Sequence, residues 1–368
     1  MKIVAPVGNL KEVEKLLNAG ADELYTGMLI MKGNKLNDVN YFTSARRGKS
    51  CSLNSINELK KANKIAKEKK AKIYITLNSF VYIEKQFPKL KKLVYDILGT
   101  EVNGFIVNCP SMVKFLKDID KKIDIKISSM ATCLNSECVK LYKKMGASQI
   151  VLPRHLSYEE TKNIIKNNKD TKFEMMVSNG RCRNLNGLCH LCHATAPKNT
   201  IIKKITGKKI MMKLFSLREG NYGLAHKKLS SYFENKNIMH LLNADSGSCR
   251  ANFQVDFKPK DKNTKVIRKN IDNFYMPNRF RECGLCSLYY FKKMGVNLLK
   301  IVGRSFKTNL KIDNVKMLKE SLNLLNQKIT KEEYFNQVKK IIKRTTGLRC
   351  SIFNCYYPEI FYNSNPRI

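Results

Sequence analysis

Apolar positions along the first 180 residues alternate between two periods. Short runs such as Ile3-Val4-Ala5, Glu23-Leu24-Tyr25-Thr26, Ile73-Tyr74-Ile75-Thr76 and Gly104-Phe105-Ile106-Val107 have the length and the β-branched or aromatic content of buried strands. Between them apolar residues recur at helical spacing, as at Leu10, Val13, Leu16 and Leu17. The pattern predicts helices over about 10–19, 55–69, 88–98, 110–116 and 135–145, and further strands at Ile123–Ser129, Gln149–Leu152 and Phe173–Val177. Gly20 and Gly146 stop two of the helices, and Ser157-x-x-Glu160 is a capping-box start for another.

Short buried strands separated by helices imply a parallel sheet with right-handed crossovers. Seven such units precede residue 180, and an eighth strand, Leu298–Val302, follows a helix over Ser287–Met294. Its successor helix places Val315, Leu318, Leu322 and Leu325 on one face. Eight strands predict a (β/α)8 TIM-like barrel, with a doubly wound sheet as the rival. The expected division is a barrel from 1–180 and 284–330, a cysteine-rich insertion at 181–283, and a terminal helix and tail at 331–368. Thr330-x-x-Glu333 is the capping-box start of that last helix. Active sites of such barrels lie at the C-terminal ends of the strands. Asn78, Asn108, Ser128, Ser129, Arg154, Ser178 and Arg304 are expected there.

Charge and cysteine content add chemistry to this frame. The formal net charge is +39, which attracts any polyanion. Most of the excess is lysine spread along the chain, but eight of the fourteen arginines lie between Arg181 and Arg304. Arginine pairs bidentately with phosphate and carboxylate, so this segment is the better candidate for an anionic partner, with an RNA strand entering the site over a basic rim. No run of apolar residues is long enough to span a bilayer, and the start Met1-Lys2-Ile3-Val4-Ala5-Pro6 reads as a first strand. The expectation is a cytoplasmic protein with no membrane partner.

Six of the twelve cysteines fall between Phe173 and Arg304, and in a reducing compartment such a group argues for metal or redox chemistry ahead of disulfides. Cys189-x-x-Cys192 and Cys283-x-x-Cys286 could close a structural zinc site, with His190 and His193 as further candidates. Cys182, Cys189, Cys249 and Cys286 could equally hold an iron–sulfur cluster, and unligated thiols are a third reading. Cys51, Cys109, Cys133 and Cys138 read as small buried hydrophobes. Cys350 and Cys355 match no metal spacing, and the aromatic-rich end of the chain suggests no function. Glu174, inside an apolar strand, is either the partner of a barrel arginine or a general acid or base with a raised pKa. Arg154 and Arg304 are candidate anion clamps, and Asn78 is a polar strand-end residue at the same mouth.

Several stretches resemble the peptidase U32 family, the collagenase-like proteins. They are Ala5-Pro6-Val7-Gly8-Asn9-Leu10, Ala19-Gly20-Ala21-Asp22-Glu23-Leu24-Tyr25, Thr76-Leu77-Asn78, Val151-Leu152-Pro153-Arg154, and Cys286 with Leu298-Leu299-Lys300-Ile301-Val302-Gly303-Arg304. The resemblance implies a barrel-like fold and, in several members, a 4Fe-4S cluster, whose ligands by position would be Cys182, Cys189, Cys249 and Cys286. It also implies oxygen-independent hydroxylation, of RNA or of the ubiquinone ring, with prephenate linked to the tRNA-modifying members as hydroxyl donor. Ser178 and Val302 stand where many members have histidine and glutamate, and Cys283 rivals Cys286 as the last ligand. A peptidase reading finds no HExxH and no Gly-x-Ser-x-Gly to support it. A structural-zinc RNA-binding protein is the other alternative. RNA hydroxylation on a 4Fe-4S cluster, or zinc in its place, is the functional expectation, with Glu174, Arg154, Arg304 and Asn78 around the reacting groups.

Overall fold

The computed structural model describes residues 1–29, 31, 32, 35, 36, 43–45, 50–79, 82–179, 186, 187, 282–347, 349, 350 and 355–364. The chain divides into two units, Met1–Leu188 with Asn278–Ile368, and Cys189–Pro277. All the described residues belong to the first.

Eight parallel strands form the frame: β1 (Lys2–Pro6), β2 (Glu23–Met28), β3 (Lys72–Leu77), β4 (Gly104–Val107), β5 (Asp124–Ile127), β6 (Gln149–Val151), β7 (Lys172–Ser178) and β8 (Leu298–Ile301). Each pairs with the next in chain order, and β1 pairs with both β2 and β8. Lys2 lies opposite Leu298 while Val4 lies opposite Glu23, so the sheet closes on itself. Closure removes both edges and rules out the doubly wound alternative. A short strand, Ser52–Leu53, adds in parallel beside the C-terminal end of β2.

The helices between strands are α1 (Val13–Asn18), α2 (Ile56–Glu68), α3 (Phe87–Leu98), α4 (Pro110–Ile119), α5 (Ser136–Lys144), α6 (Tyr158–Lys166) and α7 (Leu288–Met294). Three more, α8 (Thr308–Leu324), α9 (Lys331–Thr346) and α10 (Pro358–Ser364), follow β8. Both predicted capping boxes form. Ser157 Oγ accepts from Glu160 N–H while Glu160 accepts from Ser157 N–H, and Thr330 and Glu333 repeat the exchange. The first helix departs from expectation, because its opening turn, Leu10–Glu12, is 3-10. That turn lets the buried Glu12 carboxylate accept from Gly8 N–H at 2.8 Å and from Lys311 Nζ at 2.7 Å.

Alternation along the strands sets two cores. Ile3, Leu24, Ile73, Ile75, Phe105, Ile125, Ile150, Phe173 and Leu299 face the helices in one continuous apolar layer. Val4, Tyr25, Tyr74, Ile106 and Leu298 form a separate cluster. The aromatic end of the chain is structural. Tyr357 donates to the Met176 carbonyl at 2.9 Å, Tyr356 to the Asn179 carbonyl, and Tyr334 of α9 to the Leu285 carbonyl at 2.9 Å. The tail thus docks against the C-terminal end of β7.

Candidate functional site

Charged residues share the barrel with the second apolar cluster. The fully buried Glu174 carboxylate receives Lys300 Nζ at 2.5 Å and Gln149 Nε2 at 2.5 Å, and Lys126 Nζ stands 3.8 Å away. Lys126 in turn pairs with Glu23. The two ammonium groups lie over aromatic faces, Lys126 at 3.7 Å from the Tyr74 centroid and Lys300 at 4.0 Å from that of Tyr25. Two carboxylates and two lysines balance, which is how a closed interior tolerates charge. Among the described residues Glu174 therefore pairs with lysines and not with an arginine. Burial alone would raise its carboxyl, but Lys300, Lys126 and the hydrogen bonds from Lys300 and Gln149 outweigh it and hold the group below the usual carboxylate range. The expected raised pKa is thus reversed, and the group is an ionised anchor. Lys126 and Lys300 escaped the sequence reading although each carries the signal Glu174 does, a charge inside an alternating or apolar strand.

Hydroxyls and amides crowd the C-terminal mouth. Buried Arg304 follows β8 and donates to Thr76 Oγ1 at 3.1 Å and to Ser44 Oγ at 2.8 Å. Room for it comes from Gly27 at the end of β2, where a Cβ would fall 2.4 Å from Arg304 Nη1. Ser44 Oγ also donates to Asn78 Oδ1 at 3.3 Å, and Asn78 Nδ2 reaches Ser128 Oγ at 3.4 Å. On the far side of Ser128, Asn186 Nδ2 donates to Ser129 Oγ at 3.2 Å and Asn186 Oδ1 accepts from Arg154 Nε at 3.3 Å. The structure brings Arg304 and Asn78 together through Ser44 and links Arg154 to the same rim through Asn186. Ser44 and Asn186 sit in loops with no motif, so nothing in the sequence singled them out. Burial pushes the Tyr356 hydroxyl, which hydrogen-bonds with Arg154, up to about 12.

Of the four cysteines assigned to a cluster by resemblance, Cys182, Cys189 and Cys249 lie outside the described residues, as do Cys192, Arg181 and six more of the eight arginines; Cys286 and Arg304 are described. Cys286 is half-buried in the 3-10 turn Leu285–Ser287 that leads into α7, and its neighbours include the thiols of Cys283, Cys350 and Cys355. Burial pushes Cys283 well up and Cys286 up to about 12, and the surrounding thiols add to both shifts. Among the described residues no three Cys, His, Asp or Glu side chains already stand in metal-holding geometry. A thiol is the donor that an iron–sulfur centre or zinc takes, so the chemistry of Cys286 fits such a group.

A closed parallel barrel with polar residues at the C-terminal ends of its strands defines a TIM-like barrel protein. The family model for Peptidase family U32 matches residues 8–200 and 227–360, and the chain belongs to that family. Its relatives include tRNA hydroxylation protein P of Helicobacter pylori strain J99, 28% identical over 191 residues, which are 51% of this chain and 42% of that protein. Another is tRNA hydroxylation protein P1 of Bacillus subtilis strain 168, 26% identical over 53% of this chain and 43% of that protein. A third is a protein named collagenase from Porphyromonas gingivalis, 22% identical over 52% of this chain and 44% of that one. The chain thus spans less than half the length of these relatives. Among solved structures, the U32 peptidase Mk0906 aligns at a TM-score of 0.38 and 16% identity, over 48% of this chain and 69% of that one. No helix among the described residues is long and apolar enough to cross a membrane.

Proposed function

We propose that this protein takes part in oxygen-independent hydroxylation of an RNA, a tRNA in the first instance, with a 4Fe-4S cluster bound by Cys182, Cys189, Cys249 and Cys286. The observation that carries the reading is the match to several relatives named for tRNA hydroxylation, from four genera. A net charge of +39 suits a nucleic-acid substrate. When bound, the cluster would supply one-electron redox chemistry next to the substrate.

The chain's own residues hold and orient. Arg304 and Arg154 stand at the strand ends as candidate clamps for a carboxylate or phosphate, and a small anionic hydroxyl donor such as prephenate is the partner they suit. Asn78, tied to Arg304 through Ser44, offers an amide to the same ligand. Glu174 stays ionised below them and fixes Lys300, whose strand leads directly to Arg304. It positions the mouth without moving a proton.

Two measurements test the proposal. Anaerobically purified protein should carry iron and acid-labile sulfide with the broad visible absorption of a 4Fe-4S cluster. Single alanine substitutions at Cys182, Cys189 or Cys249 should remove that absorption, and one at Cys51 should leave it. In cells lacking the gene, digested tRNA should lose a hydroxylated nucleoside by mass spectrometry. Zinc with neither iron nor sulfide, or an unchanged nucleoside profile, would overturn the reading.

A further inference from the structure

The N-terminal ends of β5, β6 and β7, on the side of the barrel away from the mouth, carry a basic surface that the mouth chemistry does not use. Lys121 and Lys122 lie in the loop between α4 and β5, Lys144 ends α5, Lys166 ends α6, Lys169 lies in the loop that follows, and Lys172 opens β7. All six are exposed. Contacts between their segments make the surface continuous. A Cβ on Gly146, just past α5, would fall 2.7 Å from Lys117 Cε at the end of α4. Lys143 of α5 pairs with Asp170, just past α6, and Lys172 stands opposite Gln149 at the first position of β6.

Several exposed lysines of the barrel are matched with carboxylates, as in Lys67–Glu101, Lys114–Asp118, Lys140–Glu137 and Lys162–Glu159. Here they are not. Among the described residues none of the six ammonium groups makes an ion pair or a hydrogen bond. The acids beside them are already engaged. Asp118 holds Lys114, Asp170 holds Lys143, Asp124 accepts from the Tyr74 hydroxyl at 2.7 Å and from Ser148, and Asp120 accepts from Lys122 N–H at 2.8 Å. Helix dipoles account for Lys144 and Lys166, which lie in the last turns of α5 and α6. They do not account for Lys121, Lys122, Lys169 and Lys172, which lie past the helix ends. At the end of α4, Lys117 already donates to the carbonyls of Lys121 and Ile123. Like charges gathered without counter-charge repel one another, a cost that a polyanion removes.

We propose that this face is a docking surface for RNA, with Lys121, Lys122, Lys144, Lys166, Lys169 and Lys172 contacting phosphates of a segment that lies away from the nucleotide being modified. The assignment rests on RNA being the substrate class. Lysine meets phosphate as a point charge and offers no fork for a base edge, so these contacts hold the RNA without reading its sequence. A lipid surface would need an apolar face beside the charge. Of the large apolar side chains exposed among the described residues, only Leu141 belongs to these elements.

The test is binding of the full-length chain to total tRNA and to a synthetic RNA duplex of unrelated sequence, by fluorescence anisotropy across a salt series. Replacing all six lysines by glutamine should weaken binding of both RNAs by more than about a hundredfold at low salt, and should lower the slope of log K against log salt by about 4–5, at roughly 0.7–0.9 per phosphate contact. A matched variant with Lys60, Lys61, Lys64, Lys85, Lys91 and Lys92 replaced by glutamine removes the same charge from exposed positions on and beside α2 and α3, and should keep most of the slope. Circular dichroism should be unchanged in both, because every replaced side chain is exposed. On the unsubstituted chain, bound tRNA should shield the six docking lysines from acetylation by an N-hydroxysuccinimide ester, mapped by peptide mass spectrometry. Equal losses in the two variants, or acetylation of the six at the RNA-free rate, would overturn the surface and leave RNA as the substrate. Binding of phosphatidylserine vesicles with no binding of either RNA would overturn both.

Discussion

Replacing Glu174 by glutamine nearly preserves side-chain volume and removes one negative charge from the middle of the barrel. Lys126 keeps Glu23 as a partner in the variant, whereas Lys300 loses the carboxylate it held at 2.5 Å. Its contact with the Tyr25 ring is present in both forms and cancels. Removing one partner of a buried pair costs about 3–5 kcal/mol. An upper limit comes from the lysine itself, since an ammonium that costs more than roughly 4–5 kcal/mol at neutral pH sheds its proton. That loss is a large part of the ~5–15 kcal/mol that holds a domain folded. The pH dependence has a fixed sign. The folded carboxyl lies below its ordinary 4.5, so Glu174 contributes stability that is present above that value and is lost as pH falls through the lowered folded pKa. Urea unfolding followed by circular dichroism, from about pH 7 to about pH 3, should show the wild-type advantage largest at neutral pH and shrinking on acidification. Glu174→Leu with Lys300→Leu should recover part of the loss, because an apolar pair carries no desolvation cost. A variant within about 1 kcal/mol of wild type at neutral pH, or a difference that grows in acid, would refute the account.

Two further outcomes follow from local geometry. Gly27→Ala places a methyl 2.4 Å from Arg304 Nη1 and 2.7 Å from Ser52 Oγ, so the guanidinium must shift. Stability should fall by about 1–3 kcal/mol in thermal unfolding, with a larger proportional loss of any activity that depends on the mouth. Cys138, whose thiol is lowered to about 7 by a hydrogen bond from Cys133, should alkylate faster as pH rises through about 7. Cys133, held above the usual thiol range by that same bond and by burial, should remain unreactive when peptides are mapped by mass spectrometry.

By itself the sequence determined the strand and helix order, because short apolar runs and 3.6-residue periods are local signals that survive in the folded chain. The capping boxes at Ser157 and Thr330 were legible for the same reason: donor and acceptor lie three residues apart. A carboxylate inside a strand also marked Glu174 as constrained, since such a charge must find a partner. Which partner it found was a tertiary matter. Lys300 and Lys126 reach it from β8 and β5 only once the barrel closes, and their fields turn an expected rise in pKa into a fall. Ser44, the residue that joins Arg304 to Asn78, comes from a loop without periodicity. The meeting of Cys355 with Cys283 was equally hidden, for their spacing in sequence says nothing until the tail packs against β7. Local propensity writes the elements, and long-range closure decides which charges and thiols become neighbours.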